Sequence, residues 1–350
     1  MAPVVEMYGD LFAMPTSLAH AVSEEFHQGA GIAVGFKEYF GRVDELLAQG
    51  RRVGEVAYLK HKETYIFYLI TKKNYWERVV LLSSVLSCLF HLRELSLSLG
   101  VTELSMPKIG CGLDLLKFED VLPRILSAFH DCPVKVNVVS PPPQVRGMAV
   151  AGDSQGLRFL LARGKLPRCI SRTPYPRTAG LCGSGWTITR LIQLLNDMPN
   201  NSLHDVLVLI GTNNVLEMCA AEPSRARQLL RKCRGLCNAL RTTLSMKVKA
   251  CCRAVVTTVP PLPKILCPTD GDSGRAHYFW SNFNKALLSL TENRFHVVDL
   301  GKHFTTDGVI REDLFERFMG RNNREDRIHI NLKGMRVLEK VILAVPPFTP

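Results

Sequence analysis

No stretch of the chain is apolar for the roughly 18 residues that a membrane helix needs. The best candidate, residues 79–90, is too short and runs into His91 and Arg93, so no membrane partner is expected. No signal peptide is expected either: Met1-Ala2-Pro3-Val4-Val5-Glu6 offers no basic segment followed by a sustained apolar one. The 11 cysteines are odd in number and irregularly spaced, which suits reduced thiols in a cytoplasmic or nuclear protein rather than a disulfide framework. Cys233 and Cys237 come nearest to a metal-ligand pair but have no second pair or histidine partner at zinc spacing, so no metal is expected. Internal repeats and low-complexity tracts are absent.

Acidic residues are missing from two long stretches. None stands between Asp153 and Asp197, which enclose seven Lys or Arg, nor between Glu222 and Asp270, which enclose ten. The whole chain has 44 Lys and Arg against 32 Asp and Glu, a formal net charge of +12. One half carries the excess: residues 1–140 hold 14 basic and 16 acidic side chains, and residues 141–350 hold 30 and 16. A basic half of this kind allows weak nucleic-acid contact or is simply solvated. Arg225, Arg227, Arg231, Lys232, Arg234 and Arg241 alternate with Leu and Ala at helical spacing, which favours a solvated helix face.

What is present suits two soluble domains: 350 residues, 46% hydrophobic and 22% charged. Ser140-Pro141-Pro142-Pro143-Gln144 reads as a stiff linker at 140–144, dividing residues 1–139 from 145–350. In the first part strands are expected at 55–59, 65–71, 103–107 and 134–139, with helices at 79–99 and 119–129. In the second, strands at 147–151, 206–210, 254–259 and 295–298 alternate with helices at 157–162, 187–195, 223–244, 281–292 and 331–343. Strands separated by such helices build parallel sheets covered on both faces, so the fold class is α/β, two α/β/α three-layer domains. Ligand sites in such sheets lie at the carboxyl ends of strands.

Four short blocks in the second part stand at such places. Gly152-Asp153-Ser154-Gln155 follows a strand, Gly183-Ser184-Gly185-Trp186-Thr187 opens a helix, Gly211-Thr212-Asn213-Asn214 ends a strand, and Asp326-Arg327-Ile328-His329 precedes the last helix. Singly, each is a turn or a cap. In this order they resemble the SGNH (GDSL-type) hydrolases over residues 145–345, which implies a flavodoxin-like domain and a serine esterase or deacylase. Ser154 would attack an ester, His329 would take its proton, and Asp326 would orient the imidazole. The resemblance further implies an oxyanion hole built from the backbone N–H groups of Ser154 and Gly185 and the side-chain amide of Asn213. The Gly-x-Ser-x-Gly elbow of α/β-hydrolases is missing. Arg158, Arg163, Lys165, Arg168, Arg172 and Arg177 would form a basic rim to this site or an ordinary soluble loop.

The first part carries Gly9-Asp10-Leu11-Phe12, Gly29-Ala30-Gly31-Ile32-Ala33 and Met106-Pro107-Lys108-Ile109-Gly110-Cys111-Gly112-Leu113-Asp114. Over residues 7–139 this set resembles the macro domains, and most of all the terminal ADP-ribose glycohydrolases that remove ADP-ribose from glutamate. Glycine-rich turns leave backbone N–H groups free to surround a diphosphate. The resemblance implies adenine recognition by Asp10 beside Leu11. It gives Gly29, Gly31, Ile32 and Ala33, with Ile109, Gly110, Cys111, Gly112 and Leu113, the diphosphate and distal ribose, and it matches Asp114 to the aspartate that the glycohydrolases use. That branch also uses a lysine soon after Leu69-Ile70-Thr71-Lys72-Lys73, and an ungapped placement puts Arg78 there. Arginine stays protonated and cannot act as an amine nucleophile, which leaves Lys72 or Lys73 as substitutes.

The combined expectation is a two-domain intracellular protein without a cofactor, a serine esterase fused to a module that binds ADP-ribose or ADP-ribosylated protein. Two alternatives stand beside it: glycohydrolysis of ADP-ribosyl-glutamate by the first domain, and non-catalytic reading of ADP-ribose or nucleic acid.

Overall fold

A computed structural model of the chain describes residues 4–77, 79–165, 177–267, 273–319 and 324–346. They fall into two compact units, residues 1–141 and 142–350. Among the described residues, no helix is long and apolar enough to cross a membrane.

The first unit runs β1 (Val4–Tyr8), β2 (Ser17–Ser23), α1 (Ile32–Phe40), α2 (Val43–Ala48), β3 (Val56–His61), β4 (Thr64–Lys72), α3 (Leu82–Ser98), β5 (Glu103–Met106), α4 (Phe118–Ala128) and β6 (Lys135–Ser140). Its sheet has the order β1-β6-β5-β2-β4-β3, parallel throughout except for the β3–β4 hairpin. The sequence of β4 explains the layering. Ile66, Tyr68 and Ile70 pack with Phe36 of α1 and Leu46 of α2. Phe67 and Leu69, of the other parity, pack with Val85, Leu89 and Leu92 of α3 and with Val121 and Ile125 of α4. The apolar run 66–70 of this strand is therefore buried on both faces, and the unit is a mixed α/β macrodomain fold. The helix expected from residue 79 starts at Leu82, because Leu81 is extended and Val79 projects into solvent.

The second unit runs β7 (Gln144–Val145), β8 (Met148–Gly152), α5 (Ser154–Ala162), β9 (Thr178–Ala179), β10 (Leu181–Gly183), α6 (Ile188–Asn196), β11 (Val206–Leu209), α7 (Thr212–Ala220), α8 (Pro223–Lys247), β12 (Ala254–Thr257), α9 (Pro263–Leu266), α10 (Gly274–Leu288), β13 (Phe295–Val298), α11 (Leu300–His303) and α12 (Leu332–Leu343). Strands β13-β12-β11-β8-β10 are parallel neighbours in that order, with β9 antiparallel to β10 and β7 antiparallel to the start of β8. Counted in chain order the parallel strands run 2-1-3-4-5, a doubly wound arrangement whose ligands sit beyond the carboxyl ends. On one face Leu157 and Leu160 of α5 and Met335, Leu338 and Ile342 of α12 pack over Val150, Leu207, Val255 and Val298.

The structure shifts several boundaries. Ser140 closes β6 and Gln144 opens β7, so only Pro141–Pro143 lie between strands. Helix α5 starts at Ser154 rather than residue 157, capped by Asp153, and α10 starts at Gly274 rather than 281. On α8, Arg225, Arg227, Arg231, Lys232 and Arg234 are exposed, while Ala226, Cys233, Cys237 and Leu240 are buried.

Candidate functional site

The carboxyl ends of β8, β10 and β11 converge in the second unit. Ser154 leaves β8 directly into the first turn of α5. The turn is possible because Gly152 has φ +147° and no side chain: a Cβ there would lie 1.9 Å from the Leu209 carbonyl oxygen of β11. Asp153, fully buried, accepts from the backbone N–H of Gln155 at 2.9 Å and of Thr212 at 3.1 Å. It thereby ties the helix start bearing Ser154 to the one bearing Asn213. Burial pushes its carboxyl up to about 6, against those hydrogen bonds and the neighbouring His329.

His329 comes to the same place from the far end of the chain. Its Nε2 lies 2.9 Å from Ser154 Oγ, and its Nδ1 lies 2.8 and 2.9 Å from the two carboxylate oxygens of Asp326. With the Nδ1 proton directed at Asp326, Nε2 is left to accept from the serine hydroxyl. Asp326 also accepts from the N–H groups of Ile328 and His329, each at 3.2 Å, and Arg158 reaches it at 3.5 Å. Burial opposes its charge, but the His329 hydrogen bond and the charges of His329 and Arg158 hold its carboxyl below the usual range. The Asn213 amide donates to the Trp186 carbonyl at 2.9 Å, which binds it to the loop that carries Gly185. The Gly185 N–H has no partner among the described residues. Ser154, His329 and Asp326 thus form a connected chain with Asn213 and Gly185 on the neighbouring strand ends. Arg168 and Arg172 of the expected basic rim lie outside the described residues.

In the first unit a cavity of about 880 Å³ opens at the carboxyl ends of β2, β4, β5 and β6, within the range of small-molecule sites. Gly29, Gly31, Ile32 and Ala33 line it on one side, and Ile109, Gly110, Cys111, Gly112, Leu113 and Asp114 on the other. Gly110 has φ +69° and packs so closely on Leu116 that a Cβ would approach its side chain to 2.6 Å. Asp10 and Leu11 are not among the lining residues. Asp10 instead accepts from the Phe12 N–H at 3.0 Å to cap a short turn, and Leu11 is buried in the core.

A lysine of β4 also reaches this cavity. Lys72, the last residue of β4, lines the cavity and donates to Asp114 Oδ1 at 2.6 Å. The same ammonium donates to the Glu77 carbonyl at 3.0 Å, and both partners of the ion pair are nearly buried, 13% and 11% exposed. Arg78 lies outside the described residues. The lysine that meets the aspartate is therefore Lys72, because the end of β4 and the loop after β5 close on one cavity across 42 residues of sequence. His27 and Tyr75 also line that cavity, with their rings stacked at 4.0 Å. No local sequence signal marks them.

A family model described as the OSK domain matches residues 136–336. The first unit is similar to the ADP-ribose glycohydrolase OARD1 of Homo sapiens, 48% identical over 132 residues, covering 37% of this chain and 86% of that protein. The Bos taurus protein of the same name is 46% identical over the same length and coverage. Among solved structures, the OSK domain of Drosophila Oskar is similar at 19% identity and a TM-score of 0.42, covering 57% of this chain and 88% of that one. The macrodomain of Mycobacterium tuberculosis DarG is similar at 27% identity and a TM-score of 0.36, covering 40% and 99%.

Proposed function

The chain belongs to the OSK domain family through residues 136–336, and its first unit to the family of the glycohydrolase OARD1; from this we propose that the first unit cleaves ADP-ribose from glutamate-linked protein conjugates. The observation that carries the reading is the 2.6 Å contact between Lys72 and Asp114 inside the cavity. Asp114 takes a proton from the Lys72 ammonium, freeing the amine electron pair. The amine then attacks the anomeric carbon of the distal ribose: an N–C bond forms, the C–O bond to glutamate breaks, and the electron pair leaves with the carboxylate. Water hydrolyses the amine-linked intermediate, releasing ADP-ribose and restoring Lys72. The glycine-bearing segments 29–33 and 109–113 surround the diphosphate, whose charge suits backbone N–H groups. Lys72→Ala should lower ADP-ribose release at least about 100-fold, and Asp114→Asn by about as much. Release at the normal rate by both variants would overturn the assignment.

A second activity is favoured by a separate observation, the 2.9 Å contact of Ser154 Oγ with His329 Nε2. We infer that the second unit is a flavodoxin-like serine esterase of SGNH type. Ser154 Oγ bonds to the ester carbonyl carbon while His329 takes its proton. The alcohol then departs with that proton, and water cleaves the acyl-serine. The Gly185 N–H and the Asn213 amide support the reading as oxyanion donors. Fluorophosphonate labelling and p-nitrophenyl acetate turnover should both disappear in Ser154→Ala, a loss of at least about 1000-fold. Unchanged turnover in that variant would remove the reading.

A further inference from the structure

We propose that Gln155 is a positioning residue for the base of the second unit, a role that rests on the serine esterase reading. Gln155 follows Ser154 on the first turn of α5 and is 3% exposed. Its amide grips the loop on both sides of His329. Nε2 donates to the Ile328 carbonyl at 3.0 Å, and the Ile330 N–H donates to Oε1 at 3.1 Å. One side chain therefore holds the two peptide groups that flank the imidazole, and it stands next to the nucleophile.

The other anchors of that loop have a different reach. Asp326 binds the Ile328 and His329 N–H groups from within the loop, and so fixes the Asp–His relation alone. The Glu316 N–H donates to the His329 carbonyl at 2.8 Å, and the Lys264 N–H donates to the Arg327 carbonyl at 3.1 Å. None of these groups lies on α5. Arg158 does, but it reaches Asp326 and Glu316 rather than the peptide groups beside His329. The contact that has to be kept, Ser154 to His329, crosses 175 residues of sequence. Gln155 is the side chain that joins the helix of one to the peptide groups of the other. A misplacement of a reacting group by about 1 Å costs on the order of 100-fold in rate, so the clamp acts on kcat and leaves substrate binding alone.

A chemical signature separates this role from packing. Glutamate has the shape of glutamine, and when protonated it also offers one donor and one acceptor. When ionised it has no donor for the Ile328 carbonyl and places a charge in a buried site. In the full-length chain, Gln155→Met should label with fluorophosphonate about 10 to 100 times more slowly than wild type at every pH, with KM for p-nitrophenyl acetate unchanged. Gln155→Glu should approach the wild-type rate at low pH and fall away from it as pH rises, so the ratio of the two rates declines with pH. A Met variant within twofold of wild type, or a Glu-to-wild-type ratio flat from pH 5 to 8, overturns the proposal. If the Met variant does not fold, the Glu ratio decides. A wild-type chain that does not label at Ser154 overturns the esterase reading itself, whereas Ser154-dependent labelling unaffected by either Gln155 variant overturns only the clamp.

Discussion

His20 sits in the core of the first unit, fully buried, stacked on the Phe36 ring at 3.7 Å with the Tyr68 ring edge-on at 4.9 Å. Burial pushes its imidazole down to about 3, and neither ring nitrogen has a hydrogen-bond partner among the described residues. The unfolded chain takes up this proton near 6.5, and the folded one holds it off until about 3. Folding stability from this site is therefore complete above pH 6.5 and declines as pH falls, by about 1.4 kcal/mol per unit down to pH 3. Denaturant midpoints measured from pH 7 to 4 should fall less steeply in His20→Leu than in wild type; equal slopes would contradict the assignment. The residues proposed to react differ in how far sequence order reveals them. Ser154, Asp326 and His329 are legible because each sits in a short block of fixed order. Lys72 is legible only as one of two candidates with Lys73, since the choice depends on which loop the strand end meets, and Gln155 is not legible, because its partners are backbone groups 173 and 175 residues away.

At the scale of elements, the contact between β8 and β11 decides how Ser154 is presented. Gly152→Ala would drive a methyl group into the Leu209 carbonyl at 1.9 Å, at a φ of +147° that other residues rarely adopt. It should destabilise the second unit by about 1 to 3 kcal/mol or more, read as a lower melting temperature; an unchanged melt would contradict the close approach. Strands such as β8 and β11 are legible because they lack polar side chains and are bounded by turns. Strand β2 is not: Ser-Leu-Ala-His-Ala-Val-Ser carries His20 and two serines, and burial is imposed on it by neighbours β4 and β5. The start of α10 was hidden for a similar reason. In Gly274 to Trp280 a glycine and four ring-bearing residues outnumber the helix formers Arg275 and Ala276, yet Phe279 is buried and Trp280 Nε1 donates to the Val259 carbonyl at 3.0 Å.

For the whole molecule, charge separates the two units. Residues 1–140 are close to neutral, with 14 basic and 16 acidic side chains, whereas 141–350 hold 30 and 16. A field of that sign steers anions toward the second unit and is screened by salt. Between 20 and 500 mM salt, kcat/KM should fall for an anionic ester such as a succinyl ester and stay level for p-nitrophenyl acetate. Parallel behaviour of the two substrates would show that the basic half only solvates the protein. The most direct test of the account is the release of ADP-ribose from a glutamate-linked protein conjugate by wild type, Lys72→Ala and Ser154→Ala. Wild type and Ser154→Ala should release it at similar rates while Lys72→Ala falls at least about 100-fold. No release by the wild type, or undiminished release by Lys72→Ala, would contradict glycohydrolysis by the first unit through Lys72.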